Sequence, residues 1–344
     1  MKEYLKVYTI QLSTNQYRDQ QEFDFFPGET VTQKVMNGLK EKTTTERLKR
    51  VQIAYDPVAT KDIDCFRTLV DLAKEWGYDA ILVNPADALR YDSHPEIALP
   101  GGWTKLELQN ELDHARDLGL EVFPMLSFSA AHDVWLGEYA HMVSTPEYYQ
   151  VCGDLIDELC ELFESPRYFH LGLHGENAEE QSQLDYAVVR GDKLMIHDMQ
   201  FFMKHCRDHG ATPWLSSDFA IEYLHLMEEA VPKDALLSQF QVKNHGAVQL
   251  YPSEKAFLDT AKLGYTTMMP TLSNYFNNFV PAEQMQLVKD HVAPEAVFGF
   301  VADGVLRCES KNRYKLMYEV VHCMKAFQSY LSSLNTEKGK GDPQ

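Results

Sequence analysis

Glu176 lies in the run RYFHLGLHGENAEE and Asp218 in TPWLSSDF, each where an apolar, strand-like segment gives way to polar residues. Two carboxyl groups at neighbouring strand ends can divide acid and base work. One stays protonated to assist a leaving oxygen, and the other stays ionised as nucleophile, base or electrostatic stabiliser. Asp56, Asp133 and Asp303 sit in comparable places, at the end of VQIAYD, in SFSAAHDVW and at the end of AVFGFVAD. Asp56 and Asp303 could equally cap the helices that follow them. Histidines fall in the same stretches, at His132, His170, His174 and His245. Four residues along a strand span about 13 Å, whereas two nitrogens on one zinc are at most about 4 Å apart. His170 and His174 can therefore share an ion only if the strand ends by Gly172 and the chain curls back.

The elements that must position these groups alternate along the chain. Strand candidates begin at Val51 (VQIAYD), Ala80 (AILVN), Glu121, Arg167, Thr212, Leu236, Thr266 and Ala296, and each is followed by an amphipathic helical stretch. Gly77, Gly119, Gly210 and Gly264 fall where four of these helices should stop. Eight βα units over about 280 residues have the size and rhythm of a (β/α)8 TIM barrel. A dinucleotide-binding open sheet is disfavoured, because no GxGxxG or P-loop follows the first strand candidate. The expected organisation is an N-terminal extension or lid over 1–47, the barrel over 48–334 and a disordered tail over 335–344.

Catalytic groups in such barrels come from the C-terminal ends of the strands, so strand parity selects the candidates. Phe169, Leu171 and Leu173 should face the helices, which turns His170 and His174 toward the axis. The same alternation places Asn84, Trp214, Ser216, Asp218, Gln239, Gln241, Lys243 and Asp303 inward, and, on VQIAYD, Gln52, Ala54 and Asp56. An inward ammonium at Lys243 is costly unless a carboxylate or ligand meets it. His132, Asp133 and Trp135 share one loop that has no folding reason to carry all three.

The 344 residues are 44% apolar and 24% charged, enough for a large core. Lys plus Arg number 32 against 51 Asp plus Glu, a net charge of -19, which disfavours a nucleic-acid partner. No apolar run of 18 residues and no signal pattern is evident, so no membrane partner and a cytoplasmic location are expected. The six cysteines form no CxxC pair and read as reduced core thiols. No cofactor and no metal are expected, and a homo-oligomer is left open.

GLEVFPMLSFSAAHDVWLGEY followed by YFHLGLHGENAEE resembles the third and fourth strands of family 20 β-hexosaminidases and related glycoside hydrolase-like barrels. Those proteins carry H-x-G-x-D-E, whose last two acids are catalytic. His170, Leu171 and Gly172 match its start, Pro124 and His132 fit the preceding strand and loop, and PWLSSDF is similar to the fifth strand of such barrels. Where the family has its acidic pair this chain has His174 and Gly175, with Glu176 one residue later. The resemblance implies a glycoside hydrolase acting on a small glycoside or oligosaccharide, with Glu176 and Asp218 as the catalytic pair. Substrate would be held by Asp56, His132, Asp133, Trp135, His170, His174, Trp214, Gln241, Lys243, Asn274, Tyr275 and Asp303, with aromatic side chains, Trp103 and Phe276 among them, against the sugar's apolar face. Two alternatives stand beside it: a metal-dependent sugar isomerase or hydrolase, and a non-catalytic carbohydrate-binding barrel.

Overall fold

The computed structural model describes residues 3–15, 21–23, 32–37, 40–45, 51–53, 55–131, 133–177, 181, 187–188, 190–239, 252–273 and 281–338. Parallel strands β1 (Leu5–Gln11), β2 (Ala80–Asn84), β3 (Glu121–Pro124), β4 (Tyr168–His170), β5 (Thr212–Ser216), β6 (Leu236–Ser238), β7 (in two halves, Met268–Met269 and Thr271–Leu272) and β8 (Gly299–Arg307) alternate with helices. The main helices are α1 (Ile63–Trp76), α2 (Lys105–Asp117), α3 (Pro146–Leu162), α4 (Asp192–Asp208), α5 (Pro252–Lys262), α6 (Pro281–His291) and α7 (Arg313–Lys338).

The strands form two parallel sheets. One runs from the second half of β7 through β8, β1 and β2 to β3; the other runs from the first half of β7 through β6 and β5 to β4. Parallel bridges Met125↔His170 and Met268↔Val297 lie between them. One apolar cluster draws Leu5, Val7, Leu82, Phe123, Tyr168, Trp214, Leu236, Met269 and Val301 from all eight strands. Side chains of opposite parity, such as Tyr8, Ile10, Ile81, Phe169, Leu215, Leu237 and Phe300, join the helices in the second, larger cluster. The caps follow from sequence. Asp62 accepts from the Cys65 N–H at the start of α1, Thr104 and Glu107 form a capping box on α2, and Gly77 ends α1 at φ 84°.

The first parallel strand is not the expected VQIAYD. Val51–Ile53 pairs antiparallel with Gln21–Phe23, while Leu5–Gln11, expected in an N-terminal extension, lies between β8 and β2. A parallel strand is covered on both faces and needs apolar residues on both. KVYTIQL supplies them, with Val7 on one face and Tyr8, Ile10 and Leu12 on the other, whereas Gln52 and Asp56 leave one face of VQIAYD polar. Asn15, just past β1, and Asp56, ahead of α1, exchange bonds: Asn15 Nδ2 donates to the Asp56 carbonyl at 3.0 Å and the Asp56 N–H donates to Asn15 Oδ1 at 2.9 Å.

Three smaller differences have local causes. In β6 it is Leu236 and Ser238 that face inward, so Gln239 has the opposite parity; the expected alternation rested on Phe240 and Val242, which lie outside the described residues. The expected helix IEYLHLMEEA breaks into Ala220–Tyr223 and Met227–Ala230 around a 3-10 turn. At the other end α7 runs to Lys338, past the expected start of the tail at 335.

Candidate active site

Strand β4 stops at His170, and Gly172 (φ 73°), Leu173 (φ 63°) and Gly175 (φ 74°) curl the chain at its end. A Cβ on Gly172 would lie 2.7 Å from Ser127 Cα, so only glycine lets the two strand ends approach this closely. The curl sends the two histidines to different partners. The Gly172 N–H donates to His170 Nδ1 at 3.0 Å, which leaves Nε2–H to donate to Ser238 Oγ at 3.2 Å. Burial pushes His170 down to about 3, so the ring is neutral and rests 5.1 Å from the Trp214 ring. His174 Nε2 lies 3.4 Å from Ser127 Oγ, and its carbonyl accepts from Ser129 Oγ. Among the described residues no three His, Cys, Asp or Glu side chains converge as a metal site.

Glu176 is buried and has both oxygens engaged. Oε1 accepts from the Ala130 N–H at 2.8 Å and Oε2 pairs with Arg190. Arg190 also pairs with Asp198 at 2.9 Å, and Asp198 accepts from Ser144 Oγ at 2.6 Å and from the Tyr149 hydroxyl. One buried guanidinium thus serves two buried carboxylates and ties the loops after β3 and β4 to α4.

A second polar group lies across β8, β1 and β2. Gln11 donates to Asp303 Oδ1 at 3.1 Å and accepts from Asn84 Nδ2 at 2.7 Å, so an amide chain crosses three strands. Burial pushes the Asp303 carboxyl up to about 6, against the bond from Gln11. Past β2, Asp87 is likewise pushed up to about 6 by burial, although Asn15 Nδ2 donates to it at 2.7 Å. Arg307, at the end of β8, binds Asp56 Oδ2 at 2.5 Å, and that bond holds the Asp56 carboxyl below its ordinary range.

Of the expected site residues, Asn84, His170, Trp214, Ser216 and Asp303 have the inward parity read from the sequence. Asp218 follows β5 in the turn Ser217–Phe219, buried, with its N–H on Ser216 Oγ. Asp133 is buried at the start of the 3-10 segment Val134–Met142. The expected aromatic platforms are corrected: Trp103, Trp135 and Trp214 are 1%, 2% and 0% exposed, because Trp103 packs on Phe66, Trp135 on Phe128 and Trp214 in the inner apolar cluster. His132, Gln241, Lys243, His245, Asn274, Tyr275 and Phe276 lie outside the described residues. Gln11, Asp87, Arg190 and Arg307 were not foreseen. For Gln11 a signal existed: Thr9 and Gln11 are polar at alternate positions of an otherwise apolar strand.

No family model matches the chain, and no curated protein matches it. Its fold is similar to that of the Flavobacterium johnsoniae chitobiase, with a TM-score of 0.54 at 15% identity, covering 85% of this chain and 55% of that one. For the β-N-acetylhexosaminidase of Bacteroides fragilis the TM-score is 0.58 at 11% identity, with 99% of this chain and 71% of that one covered. For the family 20 β-N-acetylhexosaminidase of Streptomyces coelicolor it is 0.53 at 15% identity, with coverages of 76% and 61%. The chain thus spans little more than half the length of the chitobiase. The likeness is one of fold, an α/β arrangement of parallel strands shared with glycoside hydrolase-like barrels.

Proposed function

We propose that this chain is a glycoside hydrolase acting on a small glycoside or oligosaccharide, on a (β/α)8 barrel whose two sheets close through β7 and the Met125↔His170 bridge. Asp303 carries the reading. Glycoside cleavage needs one carboxyl that keeps its proton near neutrality, and Asp303 is an inward-facing carboxyl whose proton is held up to about pH 6. Asp218, buried in the turn after β5, is taken as the second carboxyl of the pair. Glu176 is better suited to positioning: with Arg190 on one oxygen and a backbone N–H on the other, it keeps the loop after β4 in place.

The test is hydrolysis of a panel of aryl glycosides, N-acetylglucosaminides included, between pH 4.5 and 8. Turnover of at least one is expected, falling as pH rises through about 6, because the acid form of Asp303 is then lost. Asp303→Asn should lower kcat by about 10²–10⁴-fold, the usual contribution of a proton donor. Sugar binding without turnover of any glycoside would replace this reading with the non-catalytic barrel.

A further inference from the structure

Asp303 on β8, Gln11 at the end of β1 and Asn84 at the end of β2 stand in series across three neighbouring strands, all of them buried. The strand register sets Gln11 opposite Asn84 and sets Asp303 opposite Thr9, two residues before Gln11. Gln11 Nε2 donates to Asp303 Oδ1 at 3.1 Å, and Asn84 Nδ2 donates to Gln11 Oε1 at 2.7 Å. The direction of both bonds is imposed from one end. An ionised carboxyl only accepts, so Gln11 must turn its nitrogen to Asp303 and its oxygen to Asn84, and Asn84 must answer with its own nitrogen. Asn84 Oδ1 is then left as a buried acceptor that no described residue partners. Turning both amides over would pair that oxygen with Gln11 Nε2. It would also set Gln11 Oε1 against Asp303 Oδ1, and two bare oxygens at hydrogen-bond distance repel each other.

We propose that Asp303, Gln11 and Asn84 form a proton-set amide relay: a proton taken up by Asp303 turns both amides over, and Asn84 changes from acceptor to donor at the end of β2. The protonated carboxyl gives its O–H to Gln11 Oε1, Gln11 Nε2 donates to Asn84 Oδ1, and Asn84 Nδ2 becomes the free group. Two bonds run along the chain of three in either state. With the amides unturned, the new O–H and Asn84 Oδ1 would both go unmet within that chain; turned, only Asn84 Nδ2 does, and unmet buried polar groups are costly. Burial, which pushes Asp303 up to about 6, brings the change close to neutrality. Few other groups act on Asp303. Thr9 and Gln11 face it from β1, and Thr271 and Leu272 of β7 pair with the two residues before it, all uncharged. From α7, Cys323 senses the Asp303 charge, its thiol pushed up by burial, and Glu319 acts on Cys323. For a group that meets Asn84, a hydroxyl suits either state, a carbonyl oxygen only the protonated one and an N–H only the ionised one. The relay rests on the three side chains alone and stands apart from the glycosidase reading.

Neutron diffraction from deuterium-exchanged crystals of the unaltered chain, at about pD 8.5 and about pD 4.5, reads the relay directly, because deuterons mark the nitrogen of each amide. At the higher pD the Gln11 nitrogen should face Asp303 and the Asn84 nitrogen should face Gln11. At the lower one a deuteron should lie between Asp303 and Gln11 Oε1, with the Gln11 nitrogen now facing Asn84 Oδ1. In solution the side-chain amide resonance of Asn84, followed in 15N-asparagine-labelled protein, should move with the titration of Asp303. Gln11→Met should abolish that movement while the 13C signal of the Asp303 carboxyl still titrates; a simple field effect of the charge on Asn84 would survive the substitution. Amides of one orientation at both pD values, an Asp303 without a deuteron at the lower one, or an Asn84 response that persists in Gln11→Met would each overturn the proposal. The diffraction comparison needs no variant, so a failure of Gln11→Met to fold leaves the outcome decided, and no glycoside enters either measurement.

Discussion

Asp303 and Asp87 keep protons that an exposed carboxyl would have released, and stability depends on that. Both are raised from 3.8 to about 6 by burial. Between about pH 4 and pH 6 the folded chain holds protons the unfolded chain has lost, so their contribution to stability falls as pH rises through that window and is flat above it. Each shift corresponds to about 3 kcal/mol. Asp303→Asn should therefore unfold at higher urea concentration than wild type at pH 8, with the gain vanishing near pH 4. Equal denaturation midpoints at both pH values would show that Asp303 is not held protonated. The Arg190 group behaves in the opposite way, because there the charges themselves are paired. Arg190→Met would strand two buried carboxylates and should cost about 3–5 kcal/mol in urea unfolding, partly restored when Glu176→Gln is added. Asp303 was legible in the sequence because strand parity at the end of an apolar run points it inward. Asp87 was not, since nothing in PADA shows that Asn15, 72 residues earlier, closes over it.

The end of β4 shows what a motif can and cannot convey about an element. H-x-G was readable, and so was the condition that His170 and His174 could meet at one ion only if the strand ended by Gly172. The backbone meets that condition through two glycines and Leu173 at positive φ, a strained choice for a leucine. The destinations of His170 and His174 were not readable, because Ser238 and Ser127 come from β6 and the segment after β3, and their approach depends on how the strands are staggered. Gly172→Ala tests the element directly. The added methyl would meet Ser127 Cα at 2.7 Å on a backbone at φ 73°. Strain and overpacking together should cost about 2–4 kcal/mol, read as a lowered midpoint in urea. Ser127→Gly should not rescue the variant, since the clash is with backbone as well as side chain. The same substitution at Gly191, where a Cβ meets nothing within 4 Å, should cost less, about 1 kcal/mol for an alanine at the N-cap of α4.

At the scale of the whole molecule the α/β class was legible because the strand and helix rhythm repeats along the chain, so one misplaced element does not obscure it. The position of the first strand was misread because about 50 mostly polar residues separate β1 from α1, and an antiparallel strand inside them carries its own apolar alternation. That correction changes what counts as the folding unit. β1 lies between β8 and β2, with Leu5, Val7, Ile10 and Leu12 buried. Burying four such side chains contributes about 6–12 kcal/mol, comparable to the whole stability of a typical domain, about 5–15 kcal/mol. Gln11 and the Cys308 N–H would lose each other as well. A chain limited to residues 48–334 should therefore fail to fold: no cooperative thermal transition, no near-ultraviolet circular dichroism and rapid proteolysis throughout, whereas residues 1–338 should melt in a single step. A cooperative melt of the 48–334 fragment within a few degrees of the full chain would mean that β8 and β2 hold together without β1, and the proposed eight-stranded closure would then be wrong.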